Sequence, residues 1–290
     1  MATVFQQSIL GICIGIATAA SALAQWPAYP TPNIPRTPDG KPNLEGPAPR
    51  TPDGHPDFSG IWEFRNPPNT ATAANSAAAQ GARRGVGGAG PASQPGAVNQ
   101  FWNIGSSVKG GLPFQPLADE LHKARIAENN KDNPDAHCLP LGLMQLHTHP
   151  QPRKIIQTSG VIAIIYEANS GLRQIFTDGR SLPKPDAEPW WYGYSVAHWE
   201  GDTLLAETVG FRDDVWLDVE GSPLTSSGKM IERFRRPNFG NLEIEVTVDD
   251  PKAYTQPWTV KIAQRIMLDT ELIEFICNEN ERSAMHMVGR

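Results

Sequence analysis

From residue 154 onward the chain reads as one short apolar or alternating run after another, each closed by a turn signal. That spacing restricts the possible folds more than any other feature of the sequence. Lys154–Thr158 and Val161–Glu167 are β-branched runs, and Asn169-Ser170-Gly171 turns the chain into Leu172–Thr177, where Asp178-Gly179 turns it again. Gly193–Trp199 and Thr203–Phe211 flank Glu200-Gly201, and Met230–Arg236 and Leu242–Val248 flank Pro237–Gly240. Trp258–Leu268 and Leu272–Cys277 close the series. With Asp57–Phe64 as a first strand, about nine strands follow at short intervals, with no helix long enough for parallel crossovers. The expectation is a mainly β protein: a single antiparallel β-barrel with one short helix, or, as the alternative, a β-sandwich.

Alternation assigns the faces. In 242–248, Leu242, Ile244, Val246 and Val248 point in and Glu243, Glu245 and Thr247 point out. In 258–268, Trp258, Val260, Ile262, Ile266 and Leu268 share one face, and Lys261 and Arg265 the other. Val161–Tyr166 and Leu204–Phe211 are apolar on both faces and call for an outer cover. The 27 prolines among 290 residues nearly double the usual share and disfavour a helix bundle.

Much of that proline lies outside the strands. Residues 25–56 form a Pro-rich arm in which Pro35-Arg-Thr-Pro-Asp-Gly-Lys-Pro-Asn-Leu-Glu-Gly46 recurs as Pro49-Arg-Thr-Pro-Asp-Gly-His-Pro-Asp-Phe-Ser-Gly60. Each copy centres on a Pro-Asp-Gly turn, and the arm is expected to lie extended on the domain surface. After the first strand at 57–65, residues 66–110 are assigned to a disordered linker, because 66–99 hold almost no bulky apolar side chain. The barrel domain then spans 111–290. It opens with a helix from Pro116 to about Asn130 that carries Leu117, Leu121 and Ala124 on one face, followed by a Pro-rich loop over 131–153.

Ile9–Ala20 is apolar and is followed by Ala22-Leu23-Ala24, so residues 1–24 read as a secretory signal peptide. That stretch falls short of the roughly 20 residues needed to span a bilayer. A periplasmic or secreted location is expected, without a membrane span. The two remaining cysteines, Cys138 and Cys277, then read as a disulfide. A net charge of −6, with no basic stripe, argues against a nucleic-acid partner.

Several clusters bear on chemistry. Gly193-Tyr-Ser-Val-Ala197 has the letters of a nucleophile elbow, but a strand follows where that motif needs a helix. His147-Thr-His149 lacks the further ligands of a zinc site, and Asp213-Asp214 with Asp218-Val-Glu220 lacks the pattern of a calcium loop. No metal or cofactor is assigned. The aromatic run Trp190-Trp191-Tyr192-Gly193-Tyr194 suits either a ligand pocket or cross-strand core packing. Glu207 and Arg173 intrude into apolar strands, where a buried carboxylate must be paired or neutral. They are either catalytic or internal ion pairs: Glu207 or Glu167 with Arg173, or Glu232 with Arg233.

Gly60-Ile-Trp62 on the first strand resembles the G-x-W start of lipocalin-type barrels. The blocks Lys154–Thr158, Thr177-Asp-Gly-Arg180, Trp199-Glu-Gly-Asp-Thr-Leu204, Trp216-Leu-Asp218, Glu232-Arg-Phe-Arg-Arg236 and Leu242–Trp258 resemble a family of uncharacterised exported proteins from soil bacteria, over about residues 57–290. Members of that family carry His-rich residues where this chain has Ser222-Pro-Leu-Thr225. This second resemblance implies an exported protein and no particular reaction.

The functional expectation is an exported barrel that holds a small apolar or aromatic molecule. In the catalytic reading it is a lyase, isomerase or hydrolase, with Glu207 as base or acid and His198 as its partner. Arg173 then anchors an anion, and Tyr194 and Trp191 form the walls, with Glu167 as a further binding group. The alternatives are a non-catalytic ligand-binding or envelope protein, or a carbohydrate-active one. The catalytic reading requires Glu207, Arg173 and His198 to point into one cavity.

Overall fold

The computed structural model describes residues 29–65 and 103–279. The signal peptide assigned to 1–24 and residues 66–102 of the assigned linker lie outside the described residues. The end of that linker is ordered: Ile104–Ser107 form a 3-10 turn, and Ile104 is fully buried. Residues 29–32 and 268–271 belong to a small unit of their own, in which the Thr31 N–H donates to Asp269 Oδ1 and the Asp269 N–H to Thr31 Oγ1.

The other unit is built on a barrel. Its strands are β1 (Gly60–Arg65), β2 (Arg153–Gln157), β3 (Val161–Tyr166), β4 (Leu172–Phe176), β5 (Tyr194–Glu200), β6 (Thr203–Val209), β9 (Lys229–Arg235), β10 (Asn241–Asp249) and β11 (Trp258–Met267). They close in the order β1-β11-β10-β9-β6-β5-β4-β3-β2. β7 (Val215–Trp216) and β8 (Pro223–Leu224) form a separate ribbon. The nine-stranded barrel expected from turn spacing is therefore present, and both predicted hairpins, β5–β6 and β9–β10, pair as expected. Leu272–Cys277 forms no strand.

Closure depends on β1, which pairs with β11 on one side and β2 on the other. Trp62 is completely buried, and its indole N–H donates to the Phe58 carbonyl at 2.9 Å. Arg236 lies over the Trp62 ring at 4.8 Å and donates to the Asp57, Ser59 and Phe239 carbonyls, fastening the start of β1 to the end of β9.

Inward positions follow strict alternation in β10 and β11, with Leu242, Ile244, Val246, Val248, Trp258, Val260, Ile262 and Ile266 buried. Every barrel ladder is antiparallel except β4–β5, which is parallel and pairs only Ile175 with Ser195 and Phe176 with Val196. The parallel step follows from the connection 177–193, which is long enough to return the chain before β5 begins. Its aromatic end is pinned to the end of β6: the Trp190 N–H donates to the Gly210 carbonyl at 2.8 Å, and the Arg212 N–H returns to the Trp190 carbonyl at 3.2 Å. Gly210 sits at φ +74, and a Cβ there would lie 2.9 Å from the Trp190 ring.

Helix α1 (Pro116–Ala127) forms where Pro at its start predicts it, but its apolar stripe faces outward. Leu117 and Leu121 are exposed, and the helix packs through Ala118 instead. Arg125 reaches inward, over Trp216 and onto the Gly221 carbonyl. A second helix, α2 (Leu143–Thr148), stands where a loop is expected, and all six of its residues are buried.

The arm lies on the barrel. In its second repeat Arg50 pairs with Asp202 of the β5–β6 turn, and His55 stacks on Trp199 with ring centroids 4.4 Å apart. Cys138 and Cys277 form the expected disulfide, with Cα atoms 5.5 Å apart. Among the described residues no helix is long and apolar enough to cross a membrane.

Candidate functional site

Inside the barrel, alternation sends a set of polar side chains inward together. β4 turns Arg173 and Ile175 in, β5 turns Ser195 and Ala197, β6 turns Leu204, Ala206 and Thr208, and β9 turns Met230, Glu232 and Phe234. Arg173 meets Glu232 fork to fork: Nη1 donates to Oε1 at 3.0 Å and Nη2 to Oε2. The guanidinium also donates from Nε to Ser195 Oγ at 3.2 Å, and from Nη2 to Thr208 Oγ1 at 3.0 Å. From α2, His147 Nε2 reaches the same Glu232 Oε1 at 2.7 Å.

Burial alone would push the Glu232 carboxyl up, but the charge of Arg173 and the hydrogen bond from His147 outweigh it and hold the pKa at about 2. Glu232 is therefore an acceptor only, so His147 donates to it from a protonated Nε2. Desolvation in turn lowers the His147 pKa, against the pull of Glu232, so the imidazole is neutral. Arg153 caps the arrangement, donating to the carbonyls of His147 at 2.6 Å, His149 at 2.8 Å and Gln151 at 2.9 Å. Tyr166, on β3, is buried beside this cluster, and its phenol is pushed up to about 12 by desolvation.

Just outside Arg173 and Ser195, the two-residue β4–β5 ladder leaves a pocket of about 320 Å³. Its rings are Phe176, Trp190, Trp191, Tyr192 and Tyr194, and Arg173 and Ser195 line its inner side. Arg180 lies over the Phe176 ring at 3.7 Å and donates to the Tyr194 hydroxyl at 3.1 Å, while Arg212 lies over Trp191 at 4.5 Å. The aromatic rim is thus held in place by two exposed guanidinium groups.

The barrel brings together three of the sequence-predicted site residues, Arg173, Trp191 and Tyr194, around this pocket. It separates the others. Glu207 shares the outward parity of Leu205 and Val209 on β6 and pairs with Lys229 at 3.3 Å. His198 is exposed on the outer face of β5, 3.5 Å from Glu200. Glu207 and His198 therefore do not meet Arg173, and the expected acid–base constellation is not assembled. Glu167 is buried at the end of β3, where it accepts the Ile273 N–H at 3.0 Å and its carboxyl is raised by desolvation.

The internal ion pair weighed from the sequence exists with a different carboxylate: Arg173 takes Glu232, while Arg233 takes Glu200 on the outer wall. The signal for Glu232 lay in Met230-x-Glu232-x-Phe234, where a carboxylate shares the parity of two large apolar residues. The acidic 213–220 loop is partly buried. Asp218 is buried and accepts from the Glu220 N–H, the Ser222 N–H and the Ser222 hydroxyl.

No protein-family model matches the chain, and comparisons with curated proteins and with solved structures return no match either.

Proposed function

We propose that this is an exported barrel protein that binds a small apolar or aromatic molecule at the β4–β5 seam, without chemical turnover. One observation carries the reading: five aromatic rings bound a pocket of about 320 Å³ over the only parallel ladder of the barrel. Pockets of this size with aromatic walls and few polar groups suit small planar ligands. Export rests on the apolar leader followed by Ala22-Leu23-Ala24, and the Cys138–Cys277 disulfide fits an oxidising compartment.

The placement of charge supports binding without turnover. Glu207 and His198 lie on the outer wall, and Glu232 is already engaged by Arg173 and His147. Of the polar groups that line the pocket, Arg173 is held by Glu232 and the Tyr194 hydroxyl accepts from Arg180. The test is a tryptophan-fluorescence titration of the mature chain with 2-naphthol. Saturable quenching that weakens several-fold in Trp191→Ala, and is unchanged in Glu207→Gln, is expected. Equal binding by wild type, Trp191→Ala and Tyr194→Ala would remove the seam as the site.

A further inference from the structure

The two Pro-Arg-Thr-Pro-Asp-Gly repeats fold alike but leave their aspartates in different surroundings. In the first, the Thr37 N–H donates to the Lys41 carbonyl at 2.9 Å and the Gly40 N–H to the Thr37 carbonyl at 2.8 Å. In the second, Thr51 and His55, and Gly54 and Thr51, repeat those bonds at 2.9 Å each. Arg36 and Arg50 each donate to the carbonyl of their turn glycine, at 2.7 and 2.6 Å. Thr37 and Thr51 each donate a hydroxyl proton to the aspartate two residues on.

The difference lies at one position. Asp39 also carries an ammonium group, Lys41 Nζ, at 2.8 Å. In the second repeat the corresponding residue is His55, and its ring is committed to Trp199 in a stack 3° from parallel. Arg50 is tied to Asp202. Among the described residues no lysine or arginine pairs with Asp53.

Asp53 instead faces a pocket of about 330 Å³ at the barrel mouth. Thr51 and Asp53 of the arm form one side, Thr158, Thr177 and Trp199 of the barrel the other, and the inward-facing Ile162 lies between them. The threonine protons are already spent: Thr51 on Asp53 and the His55 carbonyl, Thr158 on the Val161 carbonyl at 2.8 Å, Thr177 on the Ser159 carbonyl at 3.2 Å. Each hydroxyl therefore offers the pocket lone pairs only. Gln157 and Ser159 also line the pocket, and Asp53 is its one ionisable group, so it presents a carboxylate beside threonine lone pairs and no charged donor.

We propose that this mouth pocket binds a primary alkylammonium group on Asp53, in the position that Lys41 occupies on Asp39. The ammonium would come from a free alkylamine or from a lysine side chain. Three N–H donors on a compact cation match a carboxylate flanked by hydroxyl lone pairs. The site is distinct from the aromatic seam and does not depend on it.

Calorimetric titration of the mature chain with 1,4-diaminobutane, with Nα-acetyl-lysine amide and with tetramethylammonium tests this. Saturable binding of either primary amine, with none of tetramethylammonium, is expected; the amine that binds more tightly identifies the source. Asp53→Asn should weaken binding about tenfold or more, and Asp39→Asn should leave it unchanged. His55→Lys, which gives the second repeat the cation of the first, should abolish it. Binding of tetramethylammonium as tight as that of the amines, full binding by Asp53→Asn, or no amine binding at millimolar concentration would each overturn the proposal.

Discussion

Arg173 and Glu232 face each other inside the barrel from strands separated by β5 and β6, both almost wholly buried and joined by two parallel N–H···O contacts. Two charges taken out of water are costly unless they satisfy each other, and here Ser195, Thr208 and His147 take up much of the remaining hydrogen-bonding capacity. Breaking such a pair by removing one partner is expected to cost about 3–5 kcal/mol, whereas replacing both by apolar residues is often close to neutral. Glu232→Gln or Arg173→Met should therefore destabilise strongly in urea unfolding. The double variant Arg173→Met/Glu232→Leu should recover most of the loss. A double variant as unstable as the sum of the singles would show that the two charges are not coupled.

Acid should unfold the protein in two stages. His147 and His149 are both lowered by desolvation, His149 to about 4, so below pH 6.5 the unfolded chain binds protons that the folded chain refuses. Stability then falls as pH drops, by up to about 1.4 kcal/mol per pH unit for each such group. Glu232 has a folded pKa of about 2 against 4.5 unfolded, so its contribution is complete above pH 4.5 and is lost toward pH 2. Urea midpoints between pH 4 and 7 should decline on acidification in the wild type and flatten in His147→Gln/His149→Gln. An unchanged slope in that variant would place the titrating groups elsewhere.

Gly142 precedes α2 at an ordinary φ of −64, so only space restricts it. A Cβ there would lie 2.0 Å from the Trp216 carbonyl oxygen and 2.8 Å from Val215 Cγ1, and a backbone oxygen in the β7–β8 ribbon cannot swing aside. Gly142→Ala should lower stability by about 1–3 kcal/mol or more through overpacking. Gly179→Ala is the contrast, since a Cβ there meets nothing within 4 Å and only its φ of +82 opposes it. Thermal melts in which the two variants shift equally would remove the steric argument.

The strands were legible because period-two alternation and turn residues are local signals, as in Leu242–Val248 and the Glu200-Gly201 hairpin turn. The aromatic pocket is legible in part: the aromatic run with Trp191 and Tyr194, and the charge of Arg173 within an apolar strand, mark residues that do meet. Glu207 misled because β6 is apolar on both faces, so composition alone gave no parity; its neighbours Ala206 and Thr208 are the inward ones. Helix α2 was hidden for a related reason. Leu143–Thr148 is too short for a helical period to be counted, and its burial is tertiary: β1 packs against it, and Arg153, Glu232 and Gln264 of β2, β9 and β11 bond to its His147. The parallel β4–β5 step had no local signal, since it depends on where the connection 177–193 returns the chain.

The Cys138–Cys277 bridge joins a residue ahead of β2 to one beyond β11, a separation of 139 residues that encloses every barrel strand except β1. Two roles are possible for such a cross-link, and they differ in measurable ways. If it merely pins the segment 272–279, which is also held by Glu167 on the Ile273 N–H and by the Ser170 hydroxyl on the Phe275 carbonyl, its loss frees a tail and leaves the barrel alone. If it restrains the unfolded chain, its loss lowers global stability by about 2–5 kcal/mol, with a loop this long near the upper end of the chain-entropy estimate. The second outcome is expected, because nearly the whole barrel sequence lies within the loop. Cys138→Ser/Cys277→Ser should therefore unfold at lower urea than the oxidised protein. An unchanged midpoint combined with new proteolytic cleavage confined to 272–279 would assign the bridge to the tail instead.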